Sequence, residues 1–265
     1  MTVVEELLAL SQPRLVAFVL ALARVAGLFL IAPVLASRAM PLRVRAALVF
    51  FLTVAMLPLL ARTAAPAAAM TGPLALLGSM LLETSLGFAI GLVAQLVFGA
   101  VQMAGQLVGI QMGIGLANLI DPHTQEHITS LAQWQNLIAL LVYLAVDGHH
   151  VLIRAVAESF AVVPLGRGFP APAGFEVLFA LAGGVFVVAL RIAAPVMVLL
   201  LLVNGAMGVL ARMIPQLNVF IVGFPLNVAS GLFMLAAAQP FTVRFLAGTF
   251  AGMGASLAAL MRALG

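Results

Sequence analysis

Few side chains in this sequence could do chemistry, and most of them stand where apolar segments begin, end or are interrupted. His123 and His127 are four residues apart, with Asp121 and Glu126 beside them. On a helix that spacing puts two imidazoles on one face, as a metal site needs. Pro122 disfavours helix at Asp121, and no third strong ligand completes an HExxH-like set. The pattern reads instead as a solvated loop with a helix start near Thr129 or Ser130, and no metal is expected. Asp147-Gly148-His149-His150 follows an apolar run. Ionisable groups at membrane depth could relay protons. The plainer reading is a helix stop capped by Gly148 at the interface. Arg154 and Glu158, at i and i+4, are expected to pair on one helix face. Gly113-Ile114-Gly115 lacks the last glycine of a GxGxxG pattern and precedes no nucleotide-binding unit. No nucleophile–base pair stands out, so neither catalytic residues nor a cofactor are expected.

Three charges lie inside apolar runs: Arg24, Glu83 and Arg191. Each would cost roughly 2.5–3.5 kcal/mol at a bilayer centre on insertion scales. An internal partner, a water-filled cavity or a place outside lipid relieves that cost, and Arg24–Glu83 is a conceivable pair. Such charges in a midplane site would also suit a secondary transporter of small solutes. A membrane enzyme using His149 or His150 is the weaker third possibility.

Two segments have no charge at their centre yet break the apolar pattern. The first, bordered by Gln95, Gln102, Gln106 and Gln111, runs Gly109-Ile110-Gln111-Met112-Gly113-Ile114-Gly115-Leu116-Ala117-Asn118-Leu119-Ile120-Asp121-Pro122. It is either a glycine-weakened, frayed helix or a pliable apolar constriction. Met and Leu side chains can fill a narrow pore and yield as something passes. The second is the polar turn Arg212-Met213-Ile214-Pro215-Gln216-Leu217-Asn218, continuing to Phe224 and Pro225. Lipid offers no hydrogen bonds to a turn's backbone, so this turn belongs at an interface, in water or against another protein.

The elements that must position these residues are long apolar helices. Of the 265 residues, 65% are hydrophobic and 8% charged, against about 25% charged in soluble domains. That leaves too little polar surface for a soluble fold and points to an all-α, integral membrane-type protein. The net charge of +4 comes from scattered arginines, not the clustered basic face that nucleic acid requires. Cysteine is absent, which removes disulfides and thiolate metal sites.

The apolar runs are 15–36, 46–60, 74–101, 131–146, 177–203, 219–238 and 241–264. The first is long enough to span a membrane and is expected to remain in the mature protein. Arg38, Arg43 and Arg45 mark the short loop 37–45 as cytoplasmic, which puts the N-terminus outside, and Arg212 marks its turn likewise. Gly87, Gly91 and Gly99, then Gly105, Gly109 and Gly113, then Gly248, Gly252 and Ser256 form rows of small residues. Such rows let helix backbones approach, either within the bundle or against neighbouring subunits. A Pro/Gly-rich loop at 164–175 divides the chain. Residues 176–265 read as a helical hairpin turning at Pro215, with Pro195 in one arm and Pro225 and Pro240 in the other, each expected to kink its helix.

Several blocks, in order, carry a family resemblance. They are Arg24-Val25-Ala26-Gly27, Ala32-Pro33-Val34-Leu35 and Pro41-Leu42-Arg43-Val44-Arg45, then Gly109-Ile110-Gln111-Met112-Gly113 with Asp121-Pro122. Asp147-Gly148-His149, Phe160 and Pro164-Leu165-Gly166 follow. The most specific is Arg212 with Pro215-Gln216-Leu217-Asn218-Val219-Phe220. Together they resemble the FliR family of flagellar export-gate proteins. Ile221-Val222-Gly223-Phe224-Pro225-Leu226 is closer to this branch than to the related injectisome family.

The resemblance implies a non-enzymatic subunit of a pore-forming complex with FliP and FliQ in the bacterial inner membrane, at the flagellar basal body. FlhB is the implied further partner, and unfolded flagellar proteins are the transient cargo. Residues 1–175 would be the FliP-like part and 176–265 the FliQ-like hairpin. Met112 through Asp121 would be the plug of the closed channel.

Overall fold

A computed structural model describes residues 3–36, 40–60, 72–114, 130–166, 172–214, 216 and 218–264. Among these the chain is all-α, with no strand. In order the helices are α1 (Val3–Ile31), α2 (Leu42–Leu60), α3 (Pro73–Gln111), α4 (Ser130–Ala145), α5 (Gly148–Val162), α6 (Pro172–Met213), α7 (Val219–Ala251) and α8 (Met253–Leu264). Among the described residues four spans are long and apolar enough to cross a membrane, Leu42–Leu59, Pro73–Gln111, Ala173–Met213 and Ile221–Leu264, and the bent pair Ser130–Ala145 and Gly148–Val162 would make a fifth if it is one span.

Local chemistry explains where the helices stop, and in three places it corrects the sequence expectation. The run 15–36 is not one helix, because α1 ends at Ile31. Pro33 supplies no N–H and pushes Ala32 out of helical geometry. The chain then makes a tight turn in which the Leu35 N–H donates to the Pro33 carbonyl at 2.8 Å, with Val34 at φ 70°. Helix α2 begins at Leu42, so Arg43 and Arg45 lie in its first turns and not in a loop. The Pro41 carbonyl accepts from the N–H groups of Val44 and Arg45.

The glycine-rich stretch after residue 101 continues the preceding helix, as its row of small residues allows. Helix α3 runs through Gly105 and Gly109 to Gln111, 39 residues in all. At Asp147-Gly148 the residue in left-handed geometry is Asp147, at φ 56°, while Gly148 is the first residue of α5. The expected glycine cap is therefore an aspartate, a residue that tolerates that conformation better than most.

Helix α6 opens on Pro172, whose fixed φ suits the first helical position, and the helical assignment continues through Pro195, Pro225 and Pro240. The hairpin expected around Pro215 is present. The Asn227 side-chain amide donates to Asn204 Oδ1 at 2.8 Å, and the Arg191 guanidinium lies 5.9 Å from the Phe245 ring centroid. Both contacts join α6 to α7 at comparable distances either side of the turn.

The chain divides into two compact units that interleave along the sequence. One comprises Met1–Gln95, Asp147–Leu181 and Phe250–Gly265; the other comprises Leu96–Val146 and Ala182–Thr249. In the first unit α1 packs on α2 and α5 packs on α8, with Leu20, Leu28, Ile90, Leu152 and Phe160 in its core. In the second, Met112, Tyr143, Ile192, Leu200 and Leu246 are buried.

Candidate functional site

In the first unit the buried charges meet. Arg24 is fully buried and Glu83 nearly so. Arg24 Nε donates to Glu83 Oε2 at 2.6 Å, Nη1 to Ser159 Oγ at 3.0 Å, and Nη2 to the Val163 carbonyl at 2.9 Å. The other Glu83 oxygen accepts from the Gly166 N–H at 3.0 Å. The Phe160 ring lies 4.5 Å from the guanidinium carbon. Every nitrogen of the arginine and both oxygens of the glutamate thus have a partner, the condition under which a buried ion pair persists.

Helices α1 and α3 can bring these two side chains together because their backbones nearly touch. A Cβ at Gly27 would run into the Thr84 carbonyl, and one at Gly87 into the Arg24 carbonyl. The blocks Arg24–Gly27, Phe160 and Pro164-Leu165-Gly166, far apart in sequence, converge on this one network. Arg24 and Glu83 were legible as a pair. Ser159 and the Val163 carbonyl were not, since neither stands out among apolar neighbours. The network is buried and its charges are paired, which suits it to fixing structure.

The second unit holds the described part of the Gly/Met segment. Gly109 is buried within α3, and Met112 is completely buried just past its end. The Met112 N–H donates to the Val108 carbonyl at 2.9 Å and the Gly113 N–H to Ile110 at 3.0 Å. Gly113 has φ 83°, the left-handed geometry with which glycine ends helices. Beneath this end α3 packs on α4. Gly105 lies against Ala132, and the Phe98 and Tyr143 rings meet edge to face at 5.5 Å.

Ile114 lines an open groove of 440 Å³ with Ser130, Leu131 and Trp134 from α4 and Leu232, Leu235 and Ala236 from α7. Its lining is almost wholly apolar. Such a surface accepts an apolar side chain and resists a hydrated ion, which would lose its water without gaining partners. Gly115, Leu116, Ala117, Asn118, Leu119, Ile120 and Asp121, together with His123 and His127, lie outside the described residues.

At the turn, Arg212 is exposed in the last turn of α6, where a cation complements the helix C-terminus. Asn218 opens α7: the Ile221 N–H donates to its Oδ1 at 3.4 Å, and the N–H groups of Ile221 and Val222 reach its carbonyl. It is an N-cap, a role asparagine favours. Gln216, Phe224 and Pro225 are exposed, whereas Pro215 and Leu217 lie outside the described residues.

His150 Nδ1 is 3.0 Å from Asp147 Oδ1, and the His149 and His150 rings sit 4.0 Å apart. With His149 they could gather three ligand atoms around an ion. However, His150 and Asp147 are largely open to solvent, and their arrangement is that of a helix boundary. Arg154 and Glu158, both exposed, are not among the ion pairs of the described residues. Exposed partners on a helix gain only about 0.3–0.5 kcal/mol by pairing.

The model of the family described as "Bacterial export proteins, family 1" matches residues 15–253. The chain is similar to the flagellar biosynthetic protein FliR of Escherichia coli (strain K12), 34% identical over 225 residues that cover 84% of each chain. It is also similar to the proteins of that name from Pectobacterium carotovorum, at 33% over 222 residues and 84% of each chain, and Bacillus subtilis, at 33% over 222 residues, 83% of this chain and 84% of the relative. A membrane-type helical protein, three of whose ordered motifs converge on one buried network and which matches that family along most of its length, belongs to family 1 of the bacterial export proteins, the FliR family.

Proposed function

We propose that this chain is a core subunit of the flagellar protein export gate in the bacterial inner membrane. It assembles with FliP and FliQ around a channel that unfolded flagellar proteins traverse, with FlhB as a further partner. In this reading the segment from Met112 to Asp121 is the plug, and Arg212 to Pro225 is the turn that engages other subunits. Residues 1–175 take the FliP-like part and 176–265 the FliQ-like hairpin.

The observation that carries the reading is the surface of α6 and α7. Only 28% of the most apolar window in α6, and 22% of that in α7 and α8, is buried within the chain. Large side chains such as Phe179, Phe186, Leu201, Leu202, Ile221 and Phe233 stand exposed. Asn204 is exposed among them, a polar group that lipid would not satisfy. Neighbouring helices of a hetero-oligomer satisfy both the apolar faces and the amide. The apolar groove beside Ile114 supports a seal that excludes hydrated ions.

The test is extraction of the tagged chain from its own membranes in mild detergent, followed by native mass measurement. A complex containing FliP and FliQ, and loss of filament protein secretion when the gene is deleted, are the expected results. A solitary chain that binds a small solute would establish the transporter reading instead.

A further inference from the structure

We infer that Met112 and Gly231 form a knob-and-notch latch that holds the end of α3 in its resting position and must part when a polypeptide passes. The role rests on the export-gate reading above; the contact does not. A Cβ placed on Gly231 would lie 2.7 Å from Met112 Cγ and 2.9 Å from both its Sδ and Cε. Real Cβ atoms do not approach this closely, so the thioether occupies the space that any other residue at 231 would need. Met112 is completely buried there.

Local propensity gives no reason for this glycine. It lies in the interior of α7, where glycine is about 0.8–1.0 kcal/mol less favourable than alanine, so close packing is the reason it fits. Gly205, Gly208 and Gly248 in the same hairpin differ, since a Cβ on any of them would meet open space.

The chemistry of the knob suits a contact that forms and breaks. A methionine side chain is unbranched and flexible, and it adapts to irregular gaps without a directional bond to rupture. Met112 also sits between the last turn of α3 and Gly113, the left-handed residue that ends it. Holding Met112 therefore fixes where α3 stops, and releasing it frees that end without unwinding the helix below.

The chain has no cysteine, so the double variant Met112→Cys with Gly231→Cys carries one isolated thiol pair. Disulfides need Cβ atoms about 3.5–4.5 Å apart, a separation this contact permits. In the assembled complex in membranes, oxidation with copper phenanthroline should crosslink the pair, read by mass spectrometry of the digested chain. Secretion should stop on oxidation and return on reduction, with each single-cysteine variant indifferent to both reagents. An assembled complex that does not crosslink overturns the contact. A crosslinked complex that still secretes overturns the release. Crosslinking in a chain whose deletion leaves flagellar secretion intact would refute the gate reading and the latch's role, while leaving the contact shown.

A second measurement uses milder changes. Gly231→Ala should displace Met112 and raise ion leak through the purified complex in planar bilayers. Adding Met112→Ala should lower that leak again, because the two changes act on one space. Leak that simply compounds across the two variants overturns the latch.

Discussion

Around Arg24, α1 and α3 approach until Gly27 and Gly87 leave no room for a methyl group, and every polar atom of the ion pair is engaged. Along α6 and α7 the same residue types behave differently. A Cβ on Gly183, Gly184, Gly205, Gly208 or Gly248 would meet nothing within 4 Å, and although Ile192, Leu200 and Leu246 are buried, Phe186, Leu201, Leu202 and Phe233 are bare. Both regions are equally greasy in sequence. The first is closed within the chain; the second leaves much of its apolar surface uncovered by the chain. Rows of small residues therefore do not by themselves distinguish internal packing from a surface meant for another subunit. What distinguishes them here is a buried charge: a desolvated arginine needs close partners, and Arg24 finds Glu83, Ser159 and the Val163 carbonyl within its own chain.

The contrast can be broken most forcefully at Glu83. Glu83→Ala strands Arg24 in the core and should cost about 3–5 kcal/mol, read as a large fall in the thermal unfolding temperature of the detergent-solubilised complex. A variant as stable as the parent would mean that Arg24 is reached by water and the closed network is wrong.

A matched pair of identical substitutions comes next. Gly87→Ala forces α1 and α3 apart and should destabilise by about 1–3 kcal/mol. Gly208→Ala meets open space within the chain and should stabilise it by up to about 1 kcal/mol through helix propensity, while weakening recovery of the complex if a neighbouring helix packs there. Equal effects of the two on unfolding would erase the distinction between the regions.

The smallest effect is expected at Asn204. Asn204→Ala removes one side-chain hydrogen bond between α6 and α7 and should cost about 0.5–1.5 kcal/mol. A loss well beyond that, measured on the complex, would show that the amide also bonds a neighbouring subunit.

Much of this architecture was legible before any coordinates. Apolar runs located most of the helices, and the expense of a charge in lipid singled out Arg24 and Glu83 as a conceivable pair, which the structure brings together. The misreadings share a cause: local rules were applied where tertiary packing decides. The small-residue row did point to close packing, and Gly105 is where α3 meets Ala132 of α4. Gly148 looked like a cap, but the neighbouring aspartate takes the left-handed turn. The run ending at Ala36 looked continuous because hydropathy does not register the N–H that Pro33 lacks. Ser159 and Gly231 were invisible for a different reason. Their importance lies in a partner more than a hundred residues away, and one sequence gives no record of who touches whom.

The assembly of the Arg24 network also has a history in time. Its carboxylate partner lies 59 residues downstream and its hydroxyl partner 135 residues downstream. At the ~5–20 residues per second of synthesis, the guanidinium waits ~3–12 s for the first and ~7–27 s for the second. Throughout that interval a nascent α1 carries an uncompensated positive charge that hydrocarbon would reject. The packing of this segment around its arginine is therefore a late event, timed by the arrival of α5.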